Sequence, residues 1–219
     1  MADAPSARDI TGLVLAGGRG SRMGGVDKGL QPFRGLPLAQ HALQRLTPQV
    51  GSCLINANRH AEEYAQLGAA FGAPVWPDSL CDYAGPLAGF LCGLSHCNTR
   101  WLLTVPCDTP LFPHDLAPRL ARAAAAQNAE IVFAAGAETD DQGHTSWRDQ
   151  PVFCLLQTAL HASLQQYTAQ GGRKIDTWAR SHRCISVAFD QPGDDPRAFA
   201  NANTLEELHA LEHAQEHAR

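Results

Sequence analysis

Short apolar, β-branched runs alternate with helix-patterned segments along the whole chain. Ile10–Leu15 reads as a buried strand and runs straight into a glycine-dense loop. Pro37 suits the first position of a helix, and Leu38, Ala42, Leu43 and Leu46 give that helix one apolar face. Further strands are expected at Cys53–Ile55, Pro74–Trp76, Trp101–Val105 (ended by Pro106), Glu130–Ala135, Val152–Leu156 and Ile185–Phe189. Helices are expected at Ala61–Ala70, Leu87–Cys97, Leu116–Ala126 and Ala159–Tyr167, with Gly89 and Gly93 allowing the second of these to pack closely. Gly136–Asp149 is polar and contains glycine, so it reads as a loop. A last helix opens on Thr204 and Glu207, spaced as a capping box in which hydroxyl and carboxylate each satisfy an orphan amide. Repeated β–α alternation predicts an α/β fold: one three-layer domain, a mostly parallel central sheet with helices on both faces, Rossmann-like in plan. No internal repeat or linker divides the chain, so residues 1–219 are read as one domain.

Composition narrows the partners. The 219 residues are 44% hydrophobic and 18% charged, ample for a packed core and unlike a disordered chain. A formal charge of −5 argues against a general nucleic-acid binder or a polybasic membrane binder. No run approaches the roughly 18 apolar residues of a membrane span, and the polar start Met1–Asp9 has no signal-peptide core. Seven scattered cysteines form no C-x-x-C pair, so neither a zinc knuckle nor a dithiol motif is expected. Reduced thiols in a cytoplasmic protein are the expectation. Of 17 basic residues only two, Lys28 and Lys174, are lysines.

The loop after the first strand carries the chemistry. It reads Leu15-Ala16-Gly17-Gly18-Arg19-Gly20-Ser21-Arg22-Met23-Gly24-Gly25-Val26-Asp27-Lys28. In an open α/β sheet, ligands bind beyond the carboxyl ends of the strands. Glycines let backbone amides approach a ligand and form an anion-binding nest. Arg19, Arg22 and Lys28 set three cations against the single carboxylate Asp27. A Walker A loop is excluded because Lys28 follows Asp27 and precedes Gly29, and a dinucleotide fingerprint fails at Met23.

Leu15-Ala-Gly-Gly18, Arg22-Met-Gly24 and Asp27-Lys28 resemble the signature of nucleotidyltransferases built on a glycosyltransferase-A-like fold, in particular the molybdenum cofactor guanylyltransferase family. The resemblance continues through Asn56-Ala-Asn58-Arg59, Asp78-Ser79, Gly85-Pro-Leu-Ala-Gly89, Cys107-Asp108-Thr109-Pro110 and Asn201-Ala-Asn203-Thr204, in the family's order. It implies transfer of GMP from GTP to the terminal phosphate of molybdopterin, with release of pyrophosphate. Leu15, Ala16, Gly17 and Gly18 would lie along the nucleotide, Lys28 on its phosphates, and Asn56, Asp78 and Gly85 about base and ribose. Asp108 would hold Mg²⁺ and Asn201 and Asn203 would lie near molybdopterin. Lys28 and Asp108 would be the catalytic pair. Residues of about 10–110 would bind nucleotide and about 111–204 the acceptor. The implied partners are GTP, molybdopterin and, transiently, enzymes that deliver or collect the cofactor; neither nucleic acid nor membrane is expected, and the chain is expected to be a monomer.

Each assignment has a plainer alternative. Lys28 could pair with Asp27 on the surface, Asp108 could be a turn or cap residue, and Gly85–Gly89 could serve helix packing. Asn201 and Asn203 are also ordinary turn formers. Which of Asn56 and Asp78 reads guanine stays open. Arg173 and Lys174, after Gly171-Gly172, could meet a pterin phosphate or simply face solvent. Gln150-Pro151 departs from the His-Pro pair common in the family. His209, His213 and His217 recur at helical spacing and are read as a polar terminal helix. Rival activities are a cytidylyltransferase acting on the same pterin, disfavoured by the second glycine of Leu15-Ala-Gly-Gly18, and a sugar-phosphate nucleotidyltransferase. A non-catalytic nucleotide-binding module is the third rival, and Lys28 with Asp108 speaks against it.

Overall fold

The computed structural model describes residues 3–16, 26–78, 85–139, 142, 145–202 and 204–216. Its elements begin with β1 (Ile10–Leu15), a small hairpin of β2 (Pro32–Phe33) and β3 (Leu36–Pro37), then α1 (Leu38–Leu46) and β4 (Ser52–Asn56). They continue with α2 (Ala61–Ala69), β5 (Val75–Trp76), α3 (Pro86–His96), β6 (Trp101–Pro106) and α4 (Leu116–Gln127). β7 (Ile131–Thr139), β8 (Thr145–Gln157), α5 (His161–Ala169), α6 (Ile175–Ala179), β9 (Cys184–Ala188) and α7 (Leu205–Glu216) complete the chain.

A strand that is apolar at successive positions must be covered on both faces. β1 meets that demand at the middle of the sheet β5-β4-β1-β6-β8-β7-β9, parallel to β4 on one side and β6 on the other. β8 alone runs against its neighbours, β6 and β7, and β9 lies parallel to β7 at the far edge. Val14, Ile55, Leu103 and Val132 face α1, α2 and α4, whereas Leu13, Leu54, Leu102 and Ile131 face α3, α5 and α6. These are the three layers that the alternation predicts. α7 packs on the β2–β3 hairpin and the first residue of α1 through Phe33, Leu38, Leu208 and Leu211.

Three expectations need correction. Gly136–Asp149 is not a loop for most of its length: Gly136–Thr139 pairs with Thr145–Arg148 as the outer arm of the β7–β8 hairpin. Residues on both faces of that arm, Trp147 and Arg148 among them, are solvent-exposed, so its backbone pairing needs no apolar alternation. Pro37 does not open α1 from within. It is extended (φ −57°, ψ 143°), belongs to β3 and caps the helix from outside. Pro106 closes β6 as its last residue rather than lying beyond it. The β2–β3 hairpin and α6 had no strong pattern, being two and five residues long.

Thr204 Oγ1 accepts the Glu207 amide at 3.1 Å, the hydroxyl's part in the expected capping box. Among the described residues the cysteines Cys53, Cys92, Cys97, Cys107, Cys154 and Cys184 are free thiols. No helix among these residues is long and apolar enough to cross a membrane.

Candidate active site

The carboxyl ends of β1, β4, β5 and β6 are tied together one residue past each strand. The Ala16 amide donates to the Asn56 carbonyl (2.8 Å), Cys107 to Leu15 (3.1 Å) and Ala57 to Trp76 (3.1 Å). These bonds carry the ladder into the loops, so side chains just beyond the strands start from fixed backbone. Leu15 and Ala16 stand at the centre of this edge, as expected; Gly17, Gly18 and Asn203 lie outside the described residues.

Lys28 opens a single 3-10 turn, Lys28–Leu30, and extends its ammonium to Asp108 Oδ2 at 3.2 Å. Its neighbour Asp27 is buried and engaged elsewhere, accepting from the Gly29 amide (3.1 Å) and the Tyr64 hydroxyl (2.5 Å). The surface pairing of Lys28 with Asp27 is therefore not the one adopted. Asp108 is no helix cap, for α4 begins at Leu116 with Asp115 before it. Lys28 and Asp108 are about one-fifth exposed, 21% and 19%, so a ligand can reach both. Cys107, next to Asp108 in the chain, is buried, and burial first, then Asp108 and Asp27, push its thiol well above the usual range. It remains a protonated, unreactive neighbour.

A second cluster forms where β4 and β5 end. Asn56 Nδ2 donates to the Trp76 carbonyl (3.2 Å) and to Asp78 Oδ1 (2.9 Å). Asn58 closes a ring with Asp78, giving its amide to Oδ2 (2.7 Å) and accepting the Asp78 N–H on Oδ1 (2.7 Å). Asn56 is 2% exposed, whereas Asp78 is half-buried. The two asparagines thus orient the carboxylate. Gly89 makes the cluster possible: a Cβ there would stand 2.5 Å from Leu15 Cδ2 and 2.6 Å from Asn56 Oδ1. Gly85, at the N-terminal end of α3, has φ +137°, a conformation other residues rarely adopt.

The structure brings Asn201 to the Asp108 loop rather than to a separate surface. Thr109 Oγ1 donates to Asn201 Oδ1 (2.6 Å), and the Ala202 amide to the Asp108 carbonyl (2.8 Å). Arg173 and Lys174 are exposed residues leading into α6. Gln150 donates to Glu138 across the β7–β8 arm at 2.9 Å. Among the described residues no group of three or more His, Cys, Asp or Glu could hold a metal, and Asp108 offers one carboxylate at this edge. That donor set suits a hard cation which takes most of its oxygens from water and phosphate. Sequence reasoning passed over Tyr64, Thr109 and the ring-closing role of Asn58. The last had a signal, since residues i and i+2 leave a strand on the same face; Tyr64, inside α2, had none.

The model of the MobA-like NTP transferase domain matches residues 12–218 of this chain. The chain belongs to the MobA-like NTP transferase family. Like other members of this family, it is a nucleotidyltransferase. It is 67% identical over 205 residues to the molybdenum cofactor guanylyltransferase of Acidovorax ebreus (strain TPSY), covering 93% of this chain and 95% of that protein. The molybdenum cofactor guanylyltransferase of Albidiferax ferrireducens is 60% identical over 208 residues, covering 94% and 97% of the two chains. Among solved structures, molybdopterin-guanine dinucleotide biosynthesis protein A from Archaeoglobus fulgidus superposes with a TM-score of 0.72 at 19% identity, over 94% of this chain and 99% of that one. The 4-diphosphocytidyl-2C-methyl-D-erythritol synthase of Anaerococcus prevotii gives 0.70 at 12% identity, over 96% and 99%. Likenesses at such identity establish the family's fold.

Proposed function

We propose that this chain transfers GMP from GTP to the terminal phosphate of molybdopterin, releasing pyrophosphate and forming the guanine dinucleotide cofactor. One observation carries the reading: Lys28 and Asp108, 80 positions apart, meet at 3.2 Å beyond β1 and β6 in a chain of this family. An acceptor phosphate oxygen forms a bond to the α-phosphorus of GTP, and the bond from that phosphorus to the bridging oxygen breaks, its electron pair leaving with pyrophosphate. The attacking oxygen is already anionic at neutral pH, so no side chain need remove a proton. Two anions must approach and negative charge must depart, which makes the task positioning and charge neutralisation.

Lys28 exchanges its Asp108 contact for the phosphates; a compact ammonium suits that exchange. Asp108 would hold Mg²⁺, which when bound neutralises phosphate charge. Asp78 accepts from the guanine N1–H and 2-amino group, with Asn56 holding it in place. The backbone of Leu15, Ala16, Gly17 and Gly18 follows the nucleotide, and Gly85 borders the base. Asn201 and Asn203 face the acceptor, so residues of about 10–110 take the nucleotide and about 111–204 the pterin. The chain works as a cytoplasmic monomer that meets neighbouring cofactor enzymes transiently. Free thiols at every described cysteine support a reducing compartment.

The test supplies purified protein with magnesium, molybdopterin and each nucleoside triphosphate in turn, and follows pyrophosphate. Release with GTP alone is expected. Release with CTP and none with GTP would overturn the proposal.

A further inference from the structure

Tyr64 is fully buried in α2, yet its hydroxyl is spent outside the helix, on a carboxylate 37 positions earlier. Asp27 Oδ1 receives that hydroxyl at 2.5 Å and the Gly29 amide at 3.1 Å. The two residues flanking Lys28 are therefore fixed through one oxygen atom. Gln31 adds a bond from its side-chain amide to the Asp27 carbonyl at 3.2 Å. Gly29 has no Cβ for a reason of space, since one would collide with the Tyr64 hydroxyl. Burial first, with the nearby Cys107 and Asp27, pushes the Tyr64 phenol up, so it stays a donor at every physiological pH.

Charge sharpens the point. An ionised carboxylate only accepts hydrogen bonds, and Asp27 and Asp108 are both close enough to act on the Cys107 thiol. The Lys28 ammonium stands 3.2 Å from Asp108, while Arg59 lies 4.0 Å from Asp27 Oδ2. Without the phenol, Asp27 would lose its shortest donor and become a competitor for cations. We propose that the Tyr64 hydroxyl is a positioning group for Lys28: by occupying Asp27 and pinning the Asp27–Gly29 turn, it directs the ammonium to the strand ends. The proposal rests on the phosphate role given to Lys28 above.

The scarcity of lysine supplies a direct readout. Protein labelled with ¹³C,¹⁵N-lysine shows two side-chain spectra, from Lys28 and Lys174, and Lys174→Arg assigns them. In Tyr64→Phe, which keeps the ring that fills the core, the Lys28 side-chain signals should move while those of Lys174 stay. Gly29→Ala, which puts a methyl where the hydroxyl sits, should move the same signals by an independent route and answers the question should Tyr64→Phe not fold. In the kinetic cycle, Tyr64→Phe should lower kcat/KM for GTP about tenfold in the native chain and less than about twofold in the Lys28→Ala background. Unmoved Lys28 signals in both variants, or equal kinetic losses in both backgrounds, would overturn the proposal and leave Tyr64 a packing residue. Full activity in Lys28→Ala alone would instead remove the phosphate role of Lys28, while the spectra still report the tie.

Discussion

Two ion pairs in this molecule are built on opposite plans. Arg119, from α4, gives Nη1 to both oxygens of Asp194 at 2.7 and 2.8 Å and Nη2 to the Ala188 carbonyl at 2.9 Å, and lies 3.8 Å over the Phe189 ring. It is 6% exposed, and every donor direction it turns inward is met. Lys28 and Asp108 share one contact of 3.2 Å, and water reaches both. The first pair clamps the segment after β9 to α4. A saturated guanidinium has little to gain from another anion, so that pair is a fastening. The second neutralises two charges at the edge where the strands end, where a phosphate can take the place of Asp108 beside Lys28 and a cation the place of Lys28 beside Asp108. Closeness of opposite charges alone does not separate the two roles; the exposure of the cation does, 6% for Arg119 against 21% for Lys28.

Removing each pair should therefore damage different properties. Arg119→Met leaves the Asp194 carboxylate without its partner and forfeits the stack on Phe189. A loss of about 3 kcal/mol in urea unfolding is expected, as for a broken buried pair, with kcat/KM retained in the folded protein. Lys28→Ala and Asp108→Ala should each lower kcat/KM for GTP by about 10²-fold, the scale of one lost charge stabiliser. Their unfolding free energies should shift by less than about 1 kcal/mol, because a solvent-accessible pair contributes little to stability. Steady-state kinetics and denaturation curves on the same three variants decide the matter. Crossed results, with activity lost at Arg119 or stability lost at Lys28, would erase the distinction.

Much of the fold was legible because its signals are local. β1 spans Ile10–Leu15, as its apolar run predicts, and α4 and α2 end within one residue of their expected limits. The outer β7–β8 arm was not legible, since backbone pairing rather than side-chain burial holds it. In the site, the residues singled out from the sequence include Lys28, which meets Asp108, and Asn56, which meets Asp78. The partners that aim them were harder to see. Asn58 turns back onto Asp78 through a loop, and Tyr64 reaches Asp27 from a helix face whose pattern announces only burial. Helical periodicity says that a tyrosine faces the core; it does not say where the hydroxyl points.

The smallest expected difference between the two pairs lies in acid. Burial by itself would raise the Asp194 carboxyl, but the Arg119 side chain and the Gln191 amide outweigh it and hold the group below its ordinary value of 3.8. A carboxylate whose folded pKa is depressed adds stability that is complete above the unfolded value. That stability drains away as pH falls through the folded one. The stability difference between the native chain and Asp194→Asn should therefore be constant from pH 7 to about 5 and shrink below about 4. Asp195, Asp9 and Glu63 are also held below their ordinary values, so the native curve alone mixes four groups. Subtracting the variant isolates one. Urea midpoints of both proteins at pH 7, 5, 4 and 3 provide the measurement. A difference that stays level down to pH 3 would mean that the carboxylate gains nothing from Arg119, and the clamp would then owe its strength to the Phe189 stack and the Ala188 carbonyl.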